Sequence, residues 1–292
     1  MPGSVGAVEL PYTPANAASE AVKTRRLSFL ICGAQKSGTS ALHDYLRRHP
    51  QIDLPLVKEL HLFDNEAADW SDAGIDRIDA AIARHFPSTQ SGRCCGEATP
   101  VSLWWVPAME RIWRYNPAMR LIAILRNPIS RAYANWRMEQ LKGRDRGPLP
   151  LSLAEEEQRC RESLPLQHRV RSYLSRGLYS EQIRRVWRYF PREQLLLLRQ
   201  EELMEQPATT LARIHAHLGV EPLPFEGAQS VISWRSVPEQ TPNRPLPQPE
   251  TIPNKAPTAV RDALQRLYAP EIANLEAMLG WDLRHWQTPT DP

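Results

Sequence analysis

LSFLICGAQKSGTSALHDYL, residues 27–46, reads as a strand, a turn and a helix in direct succession. Residues 27–33 are a short apolar run closed by glycine, the form of a strand buried on both faces. Ala41, Leu42, Tyr45 and Leu46 then recur at helical spacing, and Arg47, Arg48 and His49 fill the last turn before Pro50, cations at the negative end of a helix dipole. Between the two elements stand Gly33, Lys36, Ser37, Gly38, Thr39 and Ser40. A helix N-terminus that follows a strand in this way presents unpaired N–H groups and partial positive charge, which together bind an anion. Gly33 and Gly38 let the backbone turn and approach such a ligand closely. Lys36 adds a mobile charge, and the three hydroxyls add donors.

The same alternation continues outward. RCCGEA (93–98) is a second short strand and MRLIAIL (119–125) a third, with Asn127 as cap and Pro128 at the first position of a helix whose apolar face is Ile129, Ala132, Tyr133 and Trp136. QLLLLR (194–199) is a fourth strand, between helices expected at 179–190 and 207–218, and a last helix covers 256–279. Strands alternating with helices specify an α/β fold, a parallel β-sheet flanked by helices on both faces. Residues 1–26 lack periodicity and read as a mobile tail, leaving 27–292 as one domain. Residues 238–257 hold seven prolines and no glycine, which excludes a helix or inner strand and makes a stiffened loop.

Composition narrows the function classes. Of 292 residues, 42% are hydrophobic and 24% charged, enough for a sizeable core, and the net charge of +3 is too small for a protein that wraps nucleic acid. No apolar run approaches the ~20 residues of a membrane span. Cys32, Cys94, Cys95 and Cys160 lack metal-ligand spacing and sit mostly in apolar surroundings, so reduced thiols, no metal and a cytoplasmic setting are expected.

The loop at 33–40 differs from the ATP and GTP phosphate loop GxxxxGK[ST], because Lys36 precedes Gly38 and Thr39 stands where that lysine would be. A kinase-like phosphotransferase is the alternative this spacing disfavours. GxxKxGTS resembles instead the 5′-phosphosulfate loop of sulfotransferases that use 3′-phosphoadenosine 5′-phosphosulfate (PAPS). LRNPISRAYANW (125–136) resembles the same family's 3′-phosphate segment, in which an arginine and a serine, here Arg126 and Ser130, grip the phosphate at a helix start. LVKELHLFD (56–64) resembles the K-E-x-H-F-F segment of the heparan-sulfate branch, the N-deacetylase/N-sulfotransferases and 3-O-sulfotransferases, with Leu62 in place of an aromatic.

That resemblance, to a soluble member of bacterial type, extends from about residue 27 to the C-terminus. It implies a fold like that of P-loop-containing nucleoside triphosphate hydrolases, PAPS as donor, its product PAP (3′-phosphoadenosine 5′-phosphate), and no metal. It assigns Lys36, Ser37, Gly38, Thr39, Ser40, Arg126 and Ser130 to the donor. Glu59 becomes the candidate general base, with Lys36 and Lys58 stabilising charge. His61 and Glu97 are candidate acceptor contacts, and Glu97 is also the rival base. The acceptor would offer a hydroxyl or amine, on a glycan or a small alcohol. Arg169, Arg171, Arg176, Arg184, Arg185 and Arg188 form a basic stretch suited to an anionic acceptor or to a solvated face. Trp104, Trp105 and Trp136 suit either sugar stacking or core. The late proline loop departs from the family in lacking glycine, offering Asn243, Arg244, Asn254 and Lys255. A protein that binds PAPS without turning it over is the second alternative.

Overall fold

Strand β1 (Phe29–Gly33) runs through the middle of a five-stranded sheet, and each of its residues is buried. The computed structural model of the protein describes residues 26–86, 93–225, 252 and 256–287. The other strands are β2 (Ile52–Asp53), β3 (Cys94–Ala98), β4 (Arg120–Leu125) and β5 (Leu195–Arg199), in the order β2-β3-β1-β4-β5. Every pairing is parallel. The expected α/β architecture is therefore present, extended by β2, which is too short to announce itself in the sequence.

Helices connect the strands. They are α1 (Thr39–Leu46), α2 (Asp72–Asp76), α3 (Ile78–Ala83), α4 (Ala108–Tyr115), α5 (Pro128–Leu141), α6 (Leu149–Ala154), α7 (Glu156–Glu162) and α8 (Tyr179–Val186). After β5 come α9 (Gln200–Glu205), α10 (Pro207–Leu218), α11 (Thr258–Leu279) and α12 (Arg284–Gln287). Helix α10 occupies the expected span. Helix α11 starts just behind Pro257, and α8 stops at Val186, four residues before the expected end.

The two-residue period of the strands sorts the core into two layers. Phe29, Ile31, Ile122 and Ile124 meet Leu42 and Leu46 of α1 and Leu211, Ile214 and Leu218 of α10. Leu30, Cys32, Leu121, Ala123 and Leu125 meet residues of α4, α5, α8 and α11 on the opposite face. Trp104, Trp105 and Trp136 all belong to this second layer and are buried.

Residues 1–25 lie outside the described residues, whereas Arg26 stacks over the Tyr115 ring and donates to its carbonyl oxygen. The proline loop is likewise outside them, with Asn243, Arg244, Asn254 and Lys255, apart from Ile252, Ala256 and Pro257. Among the described residues no helix is long and apolar enough to cross a membrane.

The topology places the site. From β1 the chain moves out to β2 and back through β3 on one side, then to β4 and β5 on the other. Ligands of open parallel sheets bind at such a switch point, outside the carboxyl ends of the strands. Here those ends are Gly33, Ala98 and Leu125, leading into Ala34–Gly38, Thr99 and Arg126.

Candidate active site

Gly38 closes the loop after β1 in a left-handed conformation, φ 101°, and serves as N-cap of α1 without any side-chain cap. The first-turn N–H groups of α1 thus point outward with their dipole uncompensated by protein. Gly33 is also required for packing, beside the ligand approach expected of it. A Cβ there would lie 2.4 Å from Leu103 Cδ2, in the 3₁₀ turn Pro100–Leu103 that packs under the loop. Ser37 and Thr39 are buried and Ser40 is exposed.

Arg126 leaves the end of β4 and donates from Nη1 to the Lys36 carbonyl oxygen at 3.1 Å. Tyr179 Oη donates to the Arg126 carbonyl oxygen at 2.9 Å, fixing the arginine's backbone from α8. The loop after β1 and the loop after β4 are thereby one structure. Asn127 caps α5 by accepting from Ile129 N at 3.0 Å. Ser130 follows in the first turn, half-buried.

Positive charge accumulates around Lys36. Burial pushes its pKa down to about 8, aided by Arg126, Lys142 and Lys58 and opposed by Glu59. Lys142, the exposed C-cap residue of α5, also lowers the pKa of Glu59, so its charge reaches both donor loop and base. A lone lysine at a helix end gave no sequence signal of this, because cations there ordinarily serve the helix dipole. An unbalanced cluster of cations around an uncapped helix start fits a polyanionic ligand.

The 58–64 segment returns over the same edge of the sheet. Glu59 N donates to the Ala98 carbonyl oxygen at 3.1 Å, and His61 N to Thr99 Oγ1 at 3.3 Å. Lys58 Nζ donates to Glu59 Oε1 at 2.8 Å. His61 Nε2 stands 3.7 Å from Glu59 Oε2, while His61 Nδ1 is 2.8 Å from Asp64 Oδ2. Asp64 is buried and is gripped by Arg169, whose guanidinium also donates twice to the Asp64 carbonyl oxygen, at 2.7 and 2.6 Å.

The titration of these groups follows their partners. Burial works to raise the Glu59 pKa, but the Lys58 ammonium and then His61 and Lys142 outweigh it, and the carboxyl lies below its ordinary value. His61 is held above its ordinary value by its hydrogen bond to Asp64. Glu97 is fully buried at the end of β3; it accepts from Thr99 Oγ1 at 2.9 Å, and its Oε1 has no hydrogen-bond partner. Burial raises its pKa to about 7, assisted by Asp64 and Glu59. Two carboxyls, one on the 58–64 segment and one at the end of β3, are thus driven in opposite directions, the pattern that separates an ionised base from a protonated partner.

Among the described residues, the non-glycine positions with positive φ are Lys36 at 71°, Glu59 at 66° and His61 at 52°. Such conformations cost on the order of 1–3 kcal/mol each and persist where surrounding structure over-determines them, chiefly at functional sites. Lys36 is singled out by the chemistry of its loop, and Glu59 and His61 by the resemblance of residues 56–64 to the heparan-sulfate branch. Beside His61 lies an open groove of about 440 Å³ lined by His61, Asp64, Asn65, Glu66, Trp105 and Arg169. Trp105 does not offer it a bare ring face, because the Arg169 guanidinium lies 4.7 Å from the ring centroid. Nor is the basic stretch one surface: Arg176 and Arg185 are buried, Arg169, Arg184 and Arg188 exposed. No three His, Cys, Asp or Glu side chains are disposed to hold a metal ion among the described residues.

Comparison with known proteins agrees with this geometry. A family model described as a sulfotransferase domain matches residues 27–238. Heparan sulfate glucosamine 3-O-sulfotransferase 6 of Mus musculus is 29% identical over 260 residues, covering 87% of this chain and 72% of that protein. The human bifunctional heparan sulfate N-deacetylase/N-sulfotransferase 2 is 27% identical over 217 residues, 66% of this chain. The chain spans only 22% of that relative's length, and about half of human heparan sulfate glucosamine 3-O-sulfotransferase 6. Among solved structures, a sulfotransferase from Alicyclobacillus acidocaldarius superposes with a TM-score of 0.70 at 28% identity, covering 90% of this chain and all of that one. With the loop after β1, the arginine after β4 and the carboxylate-bearing return segment gathered at one edge of a parallel sheet, the chain belongs to the sulfotransferase family.

Proposed function

We propose that the protein transfers a sulfuryl group from PAPS to a hydroxyl or amine of a carbohydrate-like acceptor. The observation that carries this reading is the Arg126–Lys36 contact, which joins two cationic loops around an uncapped helix N-terminus. In this reading Lys36, Ser37, Gly38, Thr39 and Ser40 hold the 5′-phosphosulfate end, and Arg126 and Ser130 the 3′-phosphate. The donor supplies an activated sulfuryl group and a phosphate leaving group.

Glu59 takes the proton from the acceptor. Its lowered pKa keeps it ionised at neutral pH, and its backbone is anchored to β3. Lys36 and Lys58 face the charge that develops on transfer, where fixed cations act most strongly. His61, held by Asp64, stands against the second Glu59 oxygen and orients it. Glu97 stays protonated below about pH 7 and adds no negative charge where the acceptor must approach. The relatives that act on heparan sulfate, and the groove beside His61, support a saccharide acceptor.

The experiment is calorimetric titration with PAP, AMP and ATP–Mg²⁺, followed by transfer from labelled PAPS to a saccharide panel. PAP bound at least ten times more tightly than AMP or ATP–Mg²⁺ is the expected result. Preference for ATP–Mg²⁺ would return the site to phosphoryl transfer.

A further inference from the structure

Arg176 sits in the middle of the 3₁₀ turn Ser175–Gly177 before α8 and takes no part in the chemistry described above. It is buried, and among the described residues no carboxylate lies within ion-pair distance of it, although the charges of Glu139 and Glu156 act on it from further off. Burying a guanidinium out of direct contact with a carboxylate is unfavourable, and here burial, aided by Arg131 and only partly offset by Glu139 and Glu156, lowers the pKa to about 10. The hydrogen bonds it does make are specific. Nη1 donates to Gln35 Oε1, in the donor loop next to Lys36, and Nη2 donates to the Arg169 carbonyl oxygen at 2.5 Å. Its face lies 4.2 Å from the centroid of Trp104.

From Arg169 the contacts continue without a gap. Arg169 grips Asp64, Asp64 binds His61 Nδ1, and His61 Nε2 faces Glu59. Trp104 and Trp105 meet at a tilt with ring centroids 5.9 Å apart, Arg176 over the first ring and Arg169 over the second. The two ends of this chain are the residue beside Lys36 and the residue that serves as base. At both ends the backbone is held in the left-handed region, at Lys36, Glu59 and His61. Strained positions of that kind need a rigid frame between them. A planar fork that reaches two acceptors at once supplies it, and an ammonium group does not.

We infer that Arg176 is a positioning residue that locks the donor loop and the Glu59–His61 turn into one register, resting on the reading of these two loops as donor site and base. Its partner Gln35 is the adapter on the donor side. Asp64 is the adapter on the base side.

The physical link is tested without substrate, by hydrogen exchange in Gln35→Leu, which removes only the contact on the donor side. Amides of Glu59 and His61 should exchange at least tenfold faster, while those of β5 stay unchanged. Unchanged exchange at 59 and 61, or a uniform increase throughout, would overturn the inference. In turnover, Arg176→Lys should lower kcat at least tenfold with PAP affinity within about threefold of wild type. It should also be less than multiplicative with Asp64→Asn, because both break one chain. Independent, fully multiplicative effects would overturn it, and if Arg176→Lys does not fold, Gln35→Leu replaces it in the same cycle. A wild-type protein that fails to bind PAP but shows the exchange coupling would sink the proposed function and leave the link standing.

Discussion

Arg126 Nη1 reaches the carbonyl oxygen of Lys36 at 3.1 Å across 90 residues of chain. This one hydrogen bond joins the ends of two neighbouring parallel strands, β1 and β4, at the edge where a ligand would enter. It uses one of the guanidinium's five donors, leaving others to meet a phosphate.

Replacing Arg126 by alanine should therefore weaken PAP by about 10- to 100-fold, the value of hydrogen bonds to a charged group. AMP, which lacks the 3′-phosphate, should lose far less. Calorimetry with both ligands separates the cases. An equal loss for AMP would mean that Arg126 acts only through the Lys36 carbonyl.

Lys36 predicts a proton uptake. With a pKa near 8 it is about half charged at pH 8, whereas a bound polyanion would keep it charged. PAP binding at pH 8 should take up to about half a proton, measured from calorimetric heats in buffers of different ionisation enthalpy. Phosphate groups are already ionised there and contribute little. Lys36→Met should abolish the uptake. The stability sign follows from the depressed pKa: the unfolded chain binds more protons between about 8 and 10.5, so the lysine's destabilising share is relieved as pH rises through that window.

The parts of this site visible in the sequence were local ones. The strand–loop–helix units at 29–46 and 120–141 show in apolar runs, glycine, proline and caps that lie within a few residues of one another. Helix α4 was missed although the strands at 93–98 and 119–125 bracket it, because it is only eight residues long and follows Trp104–Trp105 and a proline. The partnership of Asp64 with Arg169 spans 105 residues, and nothing in either neighbourhood announces it. An i, i+3 spacing of His61 and Asp64 was the available clue. The left-handed backbone at Lys36, Glu59 and His61 was also illegible, since only glycine and asparagine advertise that conformation. The tryptophans were ambiguous until guanidiniums were found over Trp104 and Trp105 and all three rings in the core.

Glu59→Gln should reduce turnover by about 10²–10⁴, the usual worth of a general base. PAP affinity should hardly change, because the glutamine keeps the anchor to Ala98 and removes an anion from the neighbourhood of Lys36. Since Lys58 and His61 hold the Glu59 pKa below its ordinary value, loss of rate on acidification should begin below about pH 4.5 on its account. Single-turnover kinetics on wild type and variant decide the matter, and an unimpaired variant removes Glu59 from the role.

Glu97 offers a stability test that is independent of any substrate. Its carboxyl is fully buried, with one oxygen on Thr99 and the other without a partner, and burial raises its pKa from 4.5 to about 7. Between those values the folded protein binds more protons than the unfolded chain, so stability falls as pH rises from about 4.5 to 7 and stays low above. A shift of this size corresponds to roughly 3 kcal/mol at 1.36 kcal/mol per unit. Glu97→Gln abolishes the titration and nearly preserves shape. Urea denaturation at pH 4.5 and pH 8 should find the variant near wild type at the lower pH and about 2–3 kcal/mol more stable at the higher, a gain within the range set by that shift. The same variant separates the two carboxyls in catalysis. If Glu59 is the base, Glu97→Gln keeps most of the rate above pH 7 and flattens any loss of activity as Glu97 ionises. Were Glu97 the base, the variant would lose as much rate as Glu59→Gln, and the assignment of roles would reverse.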